Sequence, residues 1–150
     1  MAETTTAVNA CDVKIHVDNS SGVPVDISGS SNRASLELRQ TVESYRVFGQ
    51  RWMKRKTCAK EGTVQLDVVY SEAADEGLDI LRDWWFSNDS GTPRTVRLMV
   101  PSDAVGDDDY MGEFVLENLS IPIDAGQTGP IIVSATLLSE GAITYAALAT

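Results

Sequence analysis

The stretch TVQLDVVY at residues 63–70 determines the fold that we predict for the segments on either side of it. It is rich in β-branched residues, which favour extended backbone, so it predicts a strand. Upstream, the stretch ASLELRQTV at residues 34–42 alternates leucines with charged residues, as an amphipathic strand does. The two strands enclose a long connection, and we predict an inter-strand loop over residues 44–62. Long loops inside compact domains are usually functional or disordered.

That connection holds half of the chain's positive charge. Residues 46–60 (RVFGQRWMKRKTCAK) contain six of the twelve Lys and Arg residues and no Asp or Glu, whereas the whole chain has a formal net charge of −10. An acidic molecule with one basic segment can attract copies of itself. The alternative is a nucleic-acid patch with Trp52 as its stacking residue, which the surrounding negative charge opposes because it repels phosphates.

The rest of the pattern predicts more strands and a single helix. Strands are expected at residues 12–17, 23–27, 95–100, 110–119 and 131–138. Residues 73–86 carry apolar residues at helical spacing and acids near the start, with Ser71 or Asp75 as the N-cap and Gly77 as a weak point. For the adjacent Trp84 and Trp85 we expect core packing, with a ligand-stacking platform as the alternative.

These elements predict a mainly β protein, an antiparallel β-sandwich or barrel of about seven to eight strands with one flanking α-helix. The 150 residues are expected to form one domain. A polar, flexible leader is expected at residues 1–11 and a small, apolar C-terminal arm at residues 141–150.

No apolar run approaches the ~20 residues of a membrane span. With no secretory signal in view, Cys11 and Cys58 are expected to be free thiols in a reducing compartment.

The sequence offers no catalytic or metal-binding motif. The one histidine, His16, has no marked nucleophile or orienting acid beside it, and it forms no zinc-site spacing with Cys11 and Cys58. Residues 107–112 (DDDYMG) faintly resemble a calcium loop, but the EF-hand pattern fails at Met111 and Asn118. We therefore expect no enzyme activity, no catalytic residue, no metal and no cofactor, with a weak surface cation site at residues 107–112 as the open alternative.

The order of the segments resembles that of a known family. A strand leads to VFGQRW (47–52), and then come EGTVQLDVVY (61–70), the helical LDILRDWW (78–85), GTPRTVRL (91–98) and YMGEFVLENLSIPIDAG (110–126). In this order the segments resemble the major tail tube proteins of long-tailed bacteriophages, across roughly residues 12–138. Related tube proteins occur in contractile tails, gene-transfer particles and the type VI secretion system.

The resemblance implies a structural virion protein, made in the host cytoplasm and found in the phage tail. Subunits of that family close into hexameric rings, and the rings stack into a tube through which DNA passes without specific binding. Further implied partners are tape-measure, tail-terminator and tail-tip proteins, with no membrane. The alternatives are an inner tube protein of a type VI or contractile injection system, and a monomeric β-sandwich module for adhesion or carbohydrate binding.

The charge pattern agrees with this resemblance. An acidic lumen repels phosphates, and head-to-tail stacking needs two different, complementary faces. We expect an inter-ring contact loop with Trp52 and Met53 as its apolar anchor, an acidic partner face or the helix acids opposite it, and acids that line the lumen. The contact loop comprises Arg46, Arg51, Trp52, Met53, Lys54, Arg55, Lys56 and Lys60; the acidic partner face comprises Asp107, Asp108 and Asp109; the lumen acids are Glu37, Asp67, Glu113 and Glu117.

Overall fold

The computed structural model describes residues 7–8, 10–87 and 91–149 of the chain. These residues form eight strands and one α-helix: β1 (Lys14–Asp18), β2 (Pro24–Asp26), β3 (Ser31–Tyr45), β4 (Lys54–Val69), α1 (Gly77–Phe86), β5 (Arg94–Val100), β6 (Asp108–Ser120), β7 (Ile132–Ser139) and β8 (Thr144–Ala147). The prediction of a mainly β, antiparallel fold with one helix is confirmed.

The strands hydrogen-bond into one sheet with the order β2-β1-β5-β6-β7-β4-β3, and β8 pairs with β6. One edge of β6 pairs with β5 between Asp108 and Phe114. The other edge pairs with β7 from Phe114 to Ser120 and with β8 from Asp108 to Met111. Strand β8 therefore continues the line of β7 along the same edge of β6.

One face of the sheet curls around a single apolar core. Alternate residues of β1, β4, β5, β6 and β7 point into it, together with Leu78, Leu81 and Trp84 of α1. Because successive side chains of a strand point to opposite faces, the residues between them form a second, outer face. Around β3, β4 and β7 this outer face carries exposed and half-buried side chains, such as Gln65 and Ser134.

The helix is shorter than predicted, since it begins at Gly77 rather than at residue 73. Glu76 occupies the N-cap position without a side-chain cap, and the backbone of Asp75 has a φ of 61° that a helix does not allow. The amide of Gly77 instead donates to Ser30 Oγ at 2.8 Å. An ideal Cβ at Gly77 would lie 2.8 Å from Val68 Cγ1. The glycine that weakened the sequence pattern is thus what lets the helix start against β4.

The predicted loop over residues 44–62 is wrong in extent. Strand β3 continues to Tyr45 and β4 begins at Lys54, so the turn spans only residues 46–53. Val42 pairs with Thr57 and Tyr45 with Lys54, past a register shift after Gln40. Both strands continue here because β3 and β4 pair with each other. Their side chains are exposed and often charged, so the apolar alternation that usually indicates a strand is absent from this part of the sequence.

Part of the N-terminal segment forms a short helix, and the C-terminal segment pairs with the sheet. Most of the leader expected at residues 1–11 lies outside the described residues; Ala10–Asp12 form a short 3-10 helix. The C-terminal arm expected at residues 141–150 contains β8, which pairs with β6 of the same chain. Ahead of β8, the side chain of Ile143 packs against Gly62 and Gly112, where an ideal Cβ on either glycine would crowd it.

Candidate functional site: a protruding hairpin and an open sheet face

The most distinctive surface is the far part of the β3–β4 hairpin. Strand β7 pairs with β4 only from Thr63 to Val69, so among the described residues no third strand pairs with β3 and β4 beyond Gly62. Residues 38–61, which we call the arm, are all exposed. A two-stranded hairpin is marginally stable on its own in water, and the arm is therefore a surface suited to being covered by another molecule.

The tip of the arm joins aromatic and basic side chains. Phe48 is fully exposed and Trp52 is 84% exposed, with Val47 and Met53 also exposed beside them. Gly49 at the turn has a φ of 81°, a conformation that glycine adopts readily. Large apolar side chains in a charged surround are typical of contact anchors between proteins.

The basic residues of the arm have few partners within the chain. Arg55 Nη1 donates to Ser44 Oγ at 2.7 Å. Across the described residues, none of the six basic side chains between residues 46 and 60 forms an ion pair. The arm as a whole has seven Lys or Arg residues and two acids, Glu43 and Glu61. Its positive charge is therefore available to an acidic surface.

The two faces of the arm continue the two faces of the sheet. Paired residues share a face, so Leu38 opposite Gly62 and Val42 opposite Thr57 lie on the side that holds the core. Leu38 is 61% exposed and Val42 is 48% exposed. The other side carries mainly charged residues, among them Arg39, Glu61, Glu43 and Lys56. Gln40 opposite Lys60 and Ser44 opposite Arg55 share the core side, so Leu38 and Val42 stand there among polar and basic side chains.

The structure places the predicted acidic partner face at the same end of the sheet as the arm. Strand β6 is antiparallel to β7, and β7 is antiparallel to β4, so β6 and β4 run in the same direction. Asp108 begins β6 and Lys54 begins β4, which places both residues at the same end of the sheet. Asp109 is buried and bonded to Arg97, with Nη2 and Oδ2 2.7 Å apart. Asp108 accepts a hydrogen bond from the Tyr145 hydroxyl at 3.0 Å, and Asp107 accepts one from the Ser102 hydroxyl. Asp109 is therefore withdrawn from the contact that the sequence suggested.

Three of the four predicted lumen acids share the outer face of the sheet. Glu37 pairs with Thr63, Asp67 pairs with Ser134, and Glu113 pairs with Thr95, all on the side opposite the core. Glu117 is exposed at a register shift between β6 and β7. The register thus turns Glu37, Asp67 and Glu113 away from the core, as predicted.

Neighbouring carboxylates affect titration on this outer face. Burial raises the pKa of Asp18, hydrogen bonding from Thr95 offsets part of that, and Glu113 nearby pushes the pKa upward again. Thr95 donates its hydroxyl to Glu113. Glu37 has Arg39 at 3.3 Å, from Oε1 to Nε, but both side chains are largely exposed and such a pair contributes little to stability.

The remaining candidate residues form no reactive arrangement. His16 is half-buried on β1, opposite Asp26 and Arg97 in register, and Cys11 and Cys58 are exposed free thiols. Within the described ranges, no three His, Cys, Asp or Glu residues group as metal ligands, so the loop at 107–112 gains no support as a cation site. Among the same residues, no helix is long and apolar enough to cross a membrane.

The two adjacent tryptophans have different environments. Trp84 is fully buried, its Nε1 donates to Thr92 O at 3.3 Å, and the Arg94 guanidinium lies 5.3 Å from the ring centroid. Trp85 is partly exposed. Core packing is confirmed for Trp84.

Sequence reasoning missed several residues that shape the arm. Ile143 packs against Gly62, where the arm joins the rest of the sheet. A glycine inside a strand often marks such a close approach, so Gly62 was a signal in the sequence. Leu38, Val42 and Phe48 were not assigned to the contact surface. Leu38 was interpreted as part of a half-buried strand, because a sequence does not show where the core beneath a strand ends.

Comparison with solved structures identifies the fold. No family model and no curated protein matches the sequence. A chain from the tail of an empty gene transfer agent (GTA) particle, determined with C6 symmetry, matches with a TM-score of 0.72 and 14% identity, over 93% of this chain and 99% of that one. A chain of the SPP1 tail tube matches with a TM-score of 0.73 and 11% identity, over 95% of this chain and 80% of that one.

The likeness extends beyond phage tails. A chain from the six-fold symmetrised baseplate of the anti-feeding prophage matches with a TM-score of 0.75 and 16% identity, over 96% of this chain and 97% of that one. The matches span nearly the whole chain and share its mainly β architecture, although their sequences differ widely. On this evidence the protein has the fold of the tube proteins of phage tails and related tail-like particles.

Proposed function

We propose that this chain is the repeating subunit of a phage tail tube. Six copies would close into a ring, rings would stack into a tube, and DNA would pass through the bore. The observation that carries the proposal is the arm, an exposed ribbon with a basic, aromatic tip and with Leu38 and Val42 exposed on its core side, on a fold shared with proteins solved in six-fold particles.

In this proposal the arm makes the contact between rings. Stacked rings need two different faces on each subunit, and a basic arm on a chain of net charge −10 supplies one of them. The contact would use the eight residues predicted from the sequence, together with Phe48, Leu38 and Val42. Covering these apolar side chains removes them from water, which supplies most of the driving force, while the charges favour the correct partner.

The outer face of the sheet would line the bore. Glu37, Asp67 and Glu113 lie on it among uncharged polar residues such as Gln65 and Ser134. A negative, polar wall repels phosphates, so DNA would move along it without sticking. A reconstruction of assembled tubes that placed these carboxylates on the outside would overturn this assignment.

Electron microscopy of the purified protein tests the whole proposal. Rings or tubes are the expected result, whereas a small monomer that ignores salt and concentration would favour the adhesion or carbohydrate-binding alternative. The triple variant Lys54→Glu, Arg55→Glu, Lys56→Glu should shorten or abolish tubes. The matched control Lys14→Glu, Arg33→Glu, Arg82→Glu changes net charge equally, away from the arm, and should leave tubes intact.

An inner tube of a contractile injection system is the second candidate, favoured by the likeness to the anti-feeding prophage chain. The two candidates differ in cargo, because only the phage tube conducts DNA. Detecting DNA in particles that contain this protein would support the phage assignment. A sheath around the tube, without DNA, would support the injection system. Location in the virion and contacts with tape-measure, terminator and tip proteins belong to the phage proposal.

A further inference from the structure

The segment that follows β7 packs against the root of the arm. Strand β7 ends at Ser139, whose Oγ accepts a hydrogen bond from the amide of Gly62 at 2.8 Å. The chain then bends at Gly141, where φ is 87°, and continues along the same edge of β6 as β8. We call residues 140–148 the strap. The strap therefore lies beside β6 over the length that β7 does not reach.

One side chain of the strap links the arm to the rest of the sheet. Ile143 lies between Gly62 of β4 and Gly112 of β6, two strands that β7 separates in the sheet order. An ideal Cβ at Gly112 would lie 3.1 Å from Ile143 Cγ1. An ideal Cβ at Gly62 would overlap Ile143 Cδ1 and would lie 3.4 Å from the Cδ2 atom of Leu38, the first residue of the arm. Ile143 is half-buried and packs against the core, so it joins the core to the root of the arm.

The rest of the strap is held at the surface. Strand β8 pairs with β6, and all of its residues are exposed. The Tyr145 hydroxyl donates to Asp108 at 3.0 Å, and the Tyr145 ring centroid lies 5.4 Å from that of Tyr110. The amide of Leu148 donates to Asp107 O at 2.8 Å. A short, exposed strand buries little apolar surface, so it separates from a sheet at a lower free-energy cost than the core strands do.

The arm is long relative to the contacts at its root. Among the described residues, β7 pairs with β4 no further than Thr63. From Gly62 the arm continues to Lys54, a length of about 26 Å at about 3.3 Å per residue. At the root, a groove separates the arm from residues 139–143. A small rotation at the root therefore moves the tip by a large distance, and Ile143 lies where it limits such a rotation.

We propose that the strap is a detachable segment that sets the direction of the arm. With β8 paired to β6, Ile143 fills the space between the two glycines and holds the arm in one direction. When β8 separates from β6, Ile143 leaves that space, and the arm turns about Gly62 while the core stays folded. The device operates within one chain. The inference therefore goes beyond the proposed function and does not depend on how copies assemble.

The two cysteines allow the direction of the arm to be measured. Cys58 lies in the arm, Cys11 lies outside it, and both thiols are exposed. Cys11 lines the same groove as Ala34, which pairs with Leu66, so the two thiols are about 26 Å apart along β4. Pulsed electron paramagnetic resonance measures this distance between maleimide nitroxide labels. The sample is the non-sedimenting fraction, diluted with unlabelled chain so that only labels within one chain interact.

Weakening the strap should broaden the distribution of this distance. Ile143→Ala removes the side chain at the root, and Tyr145→Ala removes the contacts of β8 with Asp108 and Tyr110. Each variant should widen the distribution by about two-fold or more, because the chain then samples further arm directions. Leu119→Ala is the matched control, since Leu119 is also half-buried against the core but lies near the opposite end of β6. It should lower the thermal unfolding midpoint and leave the distribution unchanged.

Three results would overturn the inference. An unchanged distribution in both strap variants would show that β3 and β4 alone fix the arm. Broadening in only one of them would separate the side chain at the root from the pairing of β8, which contradicts a detachable strap. Equal broadening in Leu119→Ala would indicate a general loosening of the fold. If circular dichroism shows that Ile143→Ala does not fold, Tyr145→Ala decides, because its side chain is exposed.

Discussion

Arg97 and Asp109 lie diagonally across strands β5 and β6, with Nη2 and Oδ2 2.7 Å apart, the shortest ion pair among the described residues. The hydrogen bond to Asp109 raises the pKa of Arg97 and so favours its charged guanidinium. Its acid is buried and its base is partly exposed. The pair attaches the start of β6 to the neighbouring strand β5. Asp109 therefore has a structural role within the chain.

Asp109→Ala should therefore destabilise the folded chain. It leaves Arg97 without its charged partner, and we expect a loss of about 1–3 kcal/mol in the free energy of unfolding, measured by urea titration. Asp103 is exposed, so Asp103→Ala should change stability by less than about 0.5 kcal/mol. Equal losses in the two variants would show that the ion pair adds nothing.

Gly62→Ala should disturb the root of the arm. The added methyl group overlaps Ile143 Cδ1, so the isoleucine must shift, and overpacking of this kind destabilises by about 1–3 kcal/mol. Ile143→Val removes that atom, and the double variant should recover most of the loss, which a double-mutant cycle measures. Strictly additive losses would mean that the two residues do not touch.

Trp84→Ala should be among the most damaging changes in the chain. The ring is fully buried in the core, and its removal is expected to lower the free energy of unfolding by about 3–5 kcal/mol. Trp85→Ala removes the same side chain from a partly exposed position next to it and should cost much less. Thermal unfolding of both variants makes the comparison, and a larger effect at Trp85 would contradict the described packing.

Asp18→Asn should stabilise the protein at neutral pH but not in acid. The pKa of Asp18 is raised in the folded state, so its ionised form is disfavoured there and stability falls as the pH rises through the folded pKa. The Asp18→Asn variant has no carboxyl group to ionise, so its stability does not fall in this way. Its advantage in urea midpoint should be present at pH 7 and vanish below the unfolded pKa of about 3.9. An advantage that persisted at pH 3 would point to a cause other than ionisation.

The sequence predicted the class of fold because its signals are local. Period-two alternation marked the buried strands, and helical spacing marked the segment that ends in Trp84 and Trp85. The helix start was misplaced because it depends on Val68 and Ser30, which approach Gly77 from elsewhere in the chain. Tertiary contacts of this kind leave no periodic signal.

The arm was half predicted. The concentration of positive charge drew attention to residues 46–60, but its extent was mistaken because residues 54–60 form a strand with both faces exposed. The acidic partner face failed at Asp109, since a run of three acids does not show that one of them is bonded to Arg97. Register across β5 and β6 carries that information, and register is not visible in one sequence.

The positions of Leu38 and Val42 affect how an assembly of these chains would dissociate. They belong to the side of the sheet that forms the protein's interior, yet both are exposed in the part of the chain that the structure describes. A neighbour that covers them would extend the hydrophobic interior of this copy across the contact. Separating the two copies would then resemble a partial unfolding, with a steep dependence on temperature and denaturant, and a tube built this way would break cooperatively.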